Sequence, residues 1–95
     1  MIEKPYVIIR TYSAGVFAGV LESRKGKEAK LSNARRLWYW DGAASLSQMA
    51  NEGVKVPQNC KFAMPVTVIL TEVIEILAVT NEARKNIEAV PTWKR

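Results

Sequence analysis

Residues 6–12 are rich in β-branched and aromatic side chains, and period two places Val7, Ile9 and Thr11 on one face. That pattern predicts a strand. Ser13, Ala14 and Gly15 interrupt it, and residues 16–22 resume with Phe17, Val20 and Leu21. Glycine within a strand marks a bulge or a close backbone approach, so Gly15 and Gly19 predict a strand that curls hard, as small barrels require. Arg24, Lys25, Gly26 and Lys27 read as a hairpin turn, with a further strand over residues 28–32.

Residues 34–40 read Ala-Arg-Arg-Leu-Trp-Tyr-Trp. As a strand, they put Arg36, Trp38 and Trp40 on one face and Arg35, Leu37 and Tyr39 on the other. A helix would scatter the aromatics, and Trp-Tyr-Trp is a poor helix former. Asp41-Gly42 ends the run. Ser45-Leu46-Ser47-Gln48 then fits a capping box, predicting a helix to about Glu52 with Leu46, Met49 and Ala50 buried and Gly53 closing it.

Pro57, Asn59 and Pro65 punctuate a loop around a short strand at residues 61–64. The most apolar stretch, residues 66–79, divides at Thr71-Glu72 and leaves a last strand over residues 72–79. Asn81 is the expected cap of a second helix, with Ala83, Ile87 and Val90 on its buried face and Pro91 stopping it. Trp93 either folds back on the body or docks on another subunit. The sum is an α+β chain, mainly antiparallel β. A small, strongly curved sheet or SH3-like or Sm-like barrel of five or six strands carries two short helices, in one domain over residues 1–95.

Composition sharpens this in two places. The chain has 95 residues, no histidine and one cysteine, Cys60. Imidazole chemistry, an intrachain disulfide and a cysteine-rich zinc site are therefore excluded, and Cys60 has no imidazole to make it a thiolate. The carboxylates have structural roles in turns and helix ends. The expectation is a protein that is not an enzyme, with no catalytic residues, no cofactor and no metal.

The net charge is +5, and Arg24, Lys25, Lys27, Lys30, Arg35 and Arg36 against Glu22 and Glu28 supply +4 of it. Such a balance favours anionic partners, although a solvated lysine-rich hairpin tip accounts for the same charges. No stretch approaches the roughly 20 apolar residues of a membrane span, and residues 1–5 lead straight into a strand pattern. No secretory signal and no membrane partner are expected.

The candidate chemistry lies in residues 35–47. Aromatic faces can stack nucleobases, and arginine grips phosphate with parallel hydrogen bonds. The small residues Gly42, Ala43 and Ala44 lead to a helix start, whose free amides favour anions. Arg35, Arg36, Trp38, Trp40, Ser45 and Ser47 are the candidate ligand-binding residues. Tryptophans also fill cores, and Ser45 and Gln48 are fully explained by the capping box. One residue of register swaps Arg35 and Arg36, so the sequence leaves open which of them faces a ligand.

The segment Asn33-Ala34-Arg35-Arg36-Leu37-Trp38-Tyr39-Trp40, followed by Gly42-Ala43-Ala44-Ser45-Leu46-Ser47-Gln48, resembles one found in small proteins of tailed bacteriophages and prophages. The likeness continues through Cys60-Lys61-Phe62, Pro65-Val66, residues 70–76 and Val90-Pro91-Thr92-Trp93. Ala78 departs from it, where such proteins often carry proline.

Small phage proteins with arginine-aromatic pockets are in turn similar to anti-CBASS sponges, which sequester the cyclic nucleotide signals of bacterial immunity. The resemblance implies an anti-defence protein acting in the host bacterial cytoplasm as a homo-oligomer that holds a cyclic dinucleotide or related nucleotide. Bases would stack on Trp38 or Trp40, while Arg35, Arg36, Ser45 or Ser47 meet the phosphates. Two other classes remain open. One is a nucleic-acid-binding module using the basic stretch over residues 24–36; the other is a structural or protein-interaction subunit burying Trp93.

Overall fold

The computed structural model describes residues 4–94. Strand β1 (Tyr6–Thr11) turns into β2 (Val16–Lys25), which pairs antiparallel with β3 (Glu28–Tyr39). Helix α1 (Leu46–Glu52) and a 3-10 turn at Pro57–Asn59 lead to β4 (Lys61–Phe62). Strands β5 (Val66–Leu70) and β6 (Val73–Ala78) and helix α2 (Asn81–Ala89) complete the order. The sheet runs β4-β3-β2-β1-β6, and β5 shares the outer edge of β3 with β4, pairing with its first half.

The expected curl is present. The Val73 amide donates to the Lys27 carbonyl at 2.9 Å, so the turn between β2 and β3 reaches β6 even though β1 separates them in the sheet. The curl stops short of closure, because no ladder joins β5 to β6. The described residues form a six-stranded, strongly curved open sheet with two helices, not a closed barrel.

Gly19 permits the tight bend. A Cβ there would lie 2.8 Å from the Ala34 Cα, a contact that a side chain on β2 cannot make without pushing β3 away. The hairpin turn is Gly26-Lys27, with Gly26 at φ +58. Glycine first in a two-residue loop suits the twist of the flanking strands.

One expectation about strands changes. The strands expected over residues 28–32 and 34–40 merge into the single strand β3, which ends at Tyr39, because Asn33 takes φ +49 as a bulge and the ladder resumes beyond it. Asparagine tolerates that left-handed geometry better than most residues. Strand β1 is also buried on both faces, with Val7, Ile8 and Ile9 all at 3% exposure or less. Its place between β2 and β6 explains this: one face meets the helices and the other lines the concave side.

The core accordingly has two parts. On the helix side, Ile8, Leu37, Met49, Phe62, Ile87 and Val90 pack together. On the concave side, Val7, Ile9, Phe17, Leu31, Leu70 and Val73 do. Each large apolar side chain removed from water contributes about 1.5–3 kcal/mol.

The helices are tied to each other as well as to the sheet. Thr80, not Asn81, caps α2: its Oγ1 accepts the Ala83 amide at 3.1 Å and donates to the Asn51 carbonyl at 2.9 Å. Asn86 exchanges two hydrogen bonds with the Val54 backbone at 2.8 and 2.9 Å. Trp93 folds back on the body, its amide donating to the Phe62 carbonyl at 2.9 Å and its ring beneath Lys61 Nζ.

Candidate functional site

Beyond the Asn33 bulge, β3 alternates sides. Ala34, Arg36 and Trp38 face the concave side, whereas Arg35 and Leu37 face the helices. The two adjacent arginines therefore separate.

Arg35 is 3% exposed. Its Nε donates to the Ala63 carbonyl at 3.0 Å, and its Nη1 to those of Ile87 and Val90 at 2.9 and 2.7 Å. Its Nη2 donates to the Phe62 carbonyl at 3.1 Å. Burial pulls the guanidinium below its ordinary pKa, while the carbonyl dipoles around it favour the charged form. Two of those carbonyls lie at the C-terminal end of α2, where a cation complements the helix dipole. Arg35 is thus an internal clamp joining β3, β4 and α2, and the structure takes it out of the candidate ligand set.

Arg36 is half-buried and lies opposite Phe17 on β2. Its guanidinium carbon sits 4.7 Å from the Phe17 ring centroid and 5.4 Å from that of Trp38. Its Nε is buried and has no hydrogen-bond partner among the described residues. Trp38 is 58% exposed, so the indole covers the arginine from the solvent side and keeps free surface of its own.

The other candidates fall away from this pair. Strand β3 ends at Tyr39, so Trp40 leaves the alternation and packs half-buried against the helix-side core. Ser45 Oγ accepts the Gln48 amide at 3.1 Å, and Gln48 Oε1 accepts the Ala44 amide at 2.9 Å. The first of those bonds uses the Gln48 amide, one of the first-turn donors an anion would need. Ser47 is exposed on α1 and makes no side-chain hydrogen bond among the described residues. Of the six sequence candidates, the structure brings Arg36 and Trp38 into contact and gives the other four separate surroundings.

A family model described as a domain of unknown function, DUF6948, matches residues 4–87. The chain belongs to that family. No curated protein and no solved structure matches it.

The matched region of this DUF6948 chain covers all six strands and most of α2, and so contains both arginines. Sequence reasoning missed Phe17 as the second ring on Arg36, because cross-strand register is invisible in a single sequence. The basic stretch is also not one surface. Arg24, Lys25, Lys27 and Lys30 are exposed around the hairpin tip, whereas Arg35 is internal. No group of three or more histidine, cysteine, aspartate or glutamate residues gathers as a metal would need, among the described residues. No helix among them is long and apolar enough to cross a membrane.

Proposed function

We propose that this DUF6948 protein binds a nucleotide without turning it over, and that its ligand is a cyclic dinucleotide of host immunity, which a phage sequesters by this means. One observation carries the reading. Arg36 is held by two rings and by no carboxylate among the described residues, beside an indole that is 58% exposed. An arginine positioned by rings keeps its outer nitrogens for phosphate. The exposed indole offers a base a stacking face, worth about 1–3 kcal/mol.

Each protomer supplies one such arginine–tryptophan pair. A ligand with two bases calls for two, which is the reason to expect a homo-oligomer. The choice of a cyclic dinucleotide among nucleotides rests on the resemblance of residues 33–48 to phage proteins. No bond is made or broken, so the ligand is recovered intact when the protein is denatured.

The test is a thermal-shift panel of cyclic dinucleotides, cyclic trinucleotides, cyclic ADP-ribose isomers and short single-stranded DNA and RNA. At 100 times the dissociation constant, binding adds about 2.7 kcal/mol. In a domain this size that is a shift of roughly 10 °C or more. A shift with one class of cyclic nucleotide, lost in Arg36→Ala, supports the reading. Silence across the panel overturns it. A shift with oligonucleotides alone moves the function to the exposed basic hairpin.

A further inference from the structure

The open sheet has two free edges, and they differ. Strand β6 pairs with β1 alone and β5 with β3 alone, so one side of each has no strand beside it among the described residues. An unpaired edge offers a row of backbone donors and acceptors to another chain. Proteins that stay monomeric blunt such edges with charge or with a covering segment.

The β6 edge has both devices. Glu75 stands mid-strand, where its carboxylate accepts from Arg10 Nε at 3.1 Å. The hairpin tip covers the start of the strand. The Val73 amide donates to the Lys27 carbonyl, and Arg24 shares a cavity with Val73, Ile74, Glu75 and Ile76.

Strand β5 has neither. Val66–Leu70 reads Val-Thr-Val-Ile-Leu, with no charge, no proline and no glycine. Thr92 bridges to Phe62 and so covers the neighbouring β4, but no ladder lies beyond β5 among the described residues. Val66, Thr67 and Ile69 are exposed, Ile69 at 59%. A β-branched, uncharged and uncovered edge of this kind is the type that pairs most readily with another strand.

We infer that β5 pairs antiparallel with β5 of a second copy of this chain, joining two six-stranded sheets across a two-fold axis. The absence of charge selects that occupant. An acidic or basic strand finds no opposite charge on Val66–Leu70, whereas a two-fold pairing sets the uncharged strand against itself. The register that uses all five residues is centred on Val68. It pairs Val66 with Leu70 and Thr67 with Ile69 across the axis, and such cross-strand contacts stabilise an antiparallel ladder. The same pairing of β6 would bring Glu75 beside its own copy. The β3–β5 ladder ends at Ala34, short of Arg36 and Trp38. The dimer therefore needs no nucleotide, and its failure would leave the proposed binding site untouched.

The test is sedimentation velocity of the ligand-free chain across roughly 10 µM to 1 mM, the range in which an interface of one short strand associates. The wild type is expected to pass from monomer to dimer as concentration rises. Added salt is expected to favour the dimer, because it screens the repulsion between two chains of charge +5. Thr67→Lys sets two like charges diagonally across the axis and is expected to weaken association roughly tenfold or more. Ile74→Lys, a lysine placed on β6 instead, is expected to leave it unaltered. A monomer throughout the range overturns the inference, as does wild-type association by Thr67→Lys or its loss in Ile74→Lys. Should Thr67→Lys fail to fold, amide exchange of the wild type decides. Protection at residues 66–70 that grows with concentration upholds the pairing, and protection that stays constant there overturns it.

Discussion

On the helix side of β3, Arg35 is 3% exposed and donates to four main-chain carbonyls. On the concave side, one residue later, Arg36 lies between Phe17 and Trp38, with a buried Nε that donates to nothing among the described residues. The same side chain does two different jobs. Carbonyl oxygens from β4, its following loop and α2 make Arg35 a joint of the fold. Rings position Arg36 without using up its hydrogens, so its charge remains available to a ligand.

Arg35→Met gives the largest effect expected from breaking this comparison. It takes the Arg35 donor from four carbonyls, of which Phe62 and Ile87 keep a backbone donor in the Trp93 and Val90 amides, and it removes the side chain that ties α2 to β3 and β4. Removing one side of a buried charged network typically costs about 3–5 kcal/mol. At about 4–8 °C per kcal/mol in a domain of this size, the melting temperature falls by at least roughly 12 °C. Arg36→Met in the same thermal-melt experiment is expected to cost about 1 kcal/mol or less, in line with loss of a partly exposed cation–ring contact. Equal losses for the two variants would erase the distinction.

Alkaline pH sharpens the helix side next. The unfolded Tyr6 phenol ionises near 10, and the folded one near about 12. Its folded pKa is raised, so its contribution is complete below pH 10 and is lost as pH rises through 12. The two-unit difference corresponds to roughly 3 kcal/mol. Urea midpoints measured from pH 9 to 12 are expected to fall more steeply in the wild type than in Tyr6→Phe. Parallel curves would mean that the phenol is already free to ionise in the folded protein.

Much of the fold was legible because its signals are local. The division at Thr71-Glu72 and the capping box at Ser45 depend on residue type and spacing within a few positions, and both stand in the structure. What was illegible depends on register and on strand ends. One bulge at Asn33 decides which arginine goes inside, and a strand ending at Tyr39 decides that Trp40 joins the helix-side core and leaves Trp38 alone. The carbonyls around Arg35 lie 27 to 55 residues further along the chain, so no local pattern announces them. The burial of the second face of β1, with Ile8 at 0% exposure, follows from its central position and was not stated by its period-two pattern.

The helix caps set an intermediate scale. Ser45→Ala removes an acceptor for one amide and is expected to cost about 1 kcal/mol. Thr80→Ala is expected to cost more, because its hydroxyl both caps α2 and bonds the Asn51 carbonyl of α1. Thermal melts of the two variants check the order, and the reverse order would mean that the contact between the helices adds nothing.

Trp38→Ala is expected to have a modest effect on stability and a large one on binding. With 58% of its surface already exposed, the indole loses less than half the burial of a core tryptophan, and a cost of about 1–2 kcal/mol follows, against about 3–5 kcal/mol for a fully buried one. Binding responds differently, because the stacking face and the cover on Arg36 disappear together. At about 1–3 kcal/mol per stacked base, affinity for the nucleotide falls roughly 5- to 150-fold. A folded Trp38→Ala that binds like the wild type would leave Arg36 without its proposed role. A variant that melts far below the wild type would instead make Trp38 part of the concave core. The concave side of β3 would then be structural, as the helix side already is through Arg35.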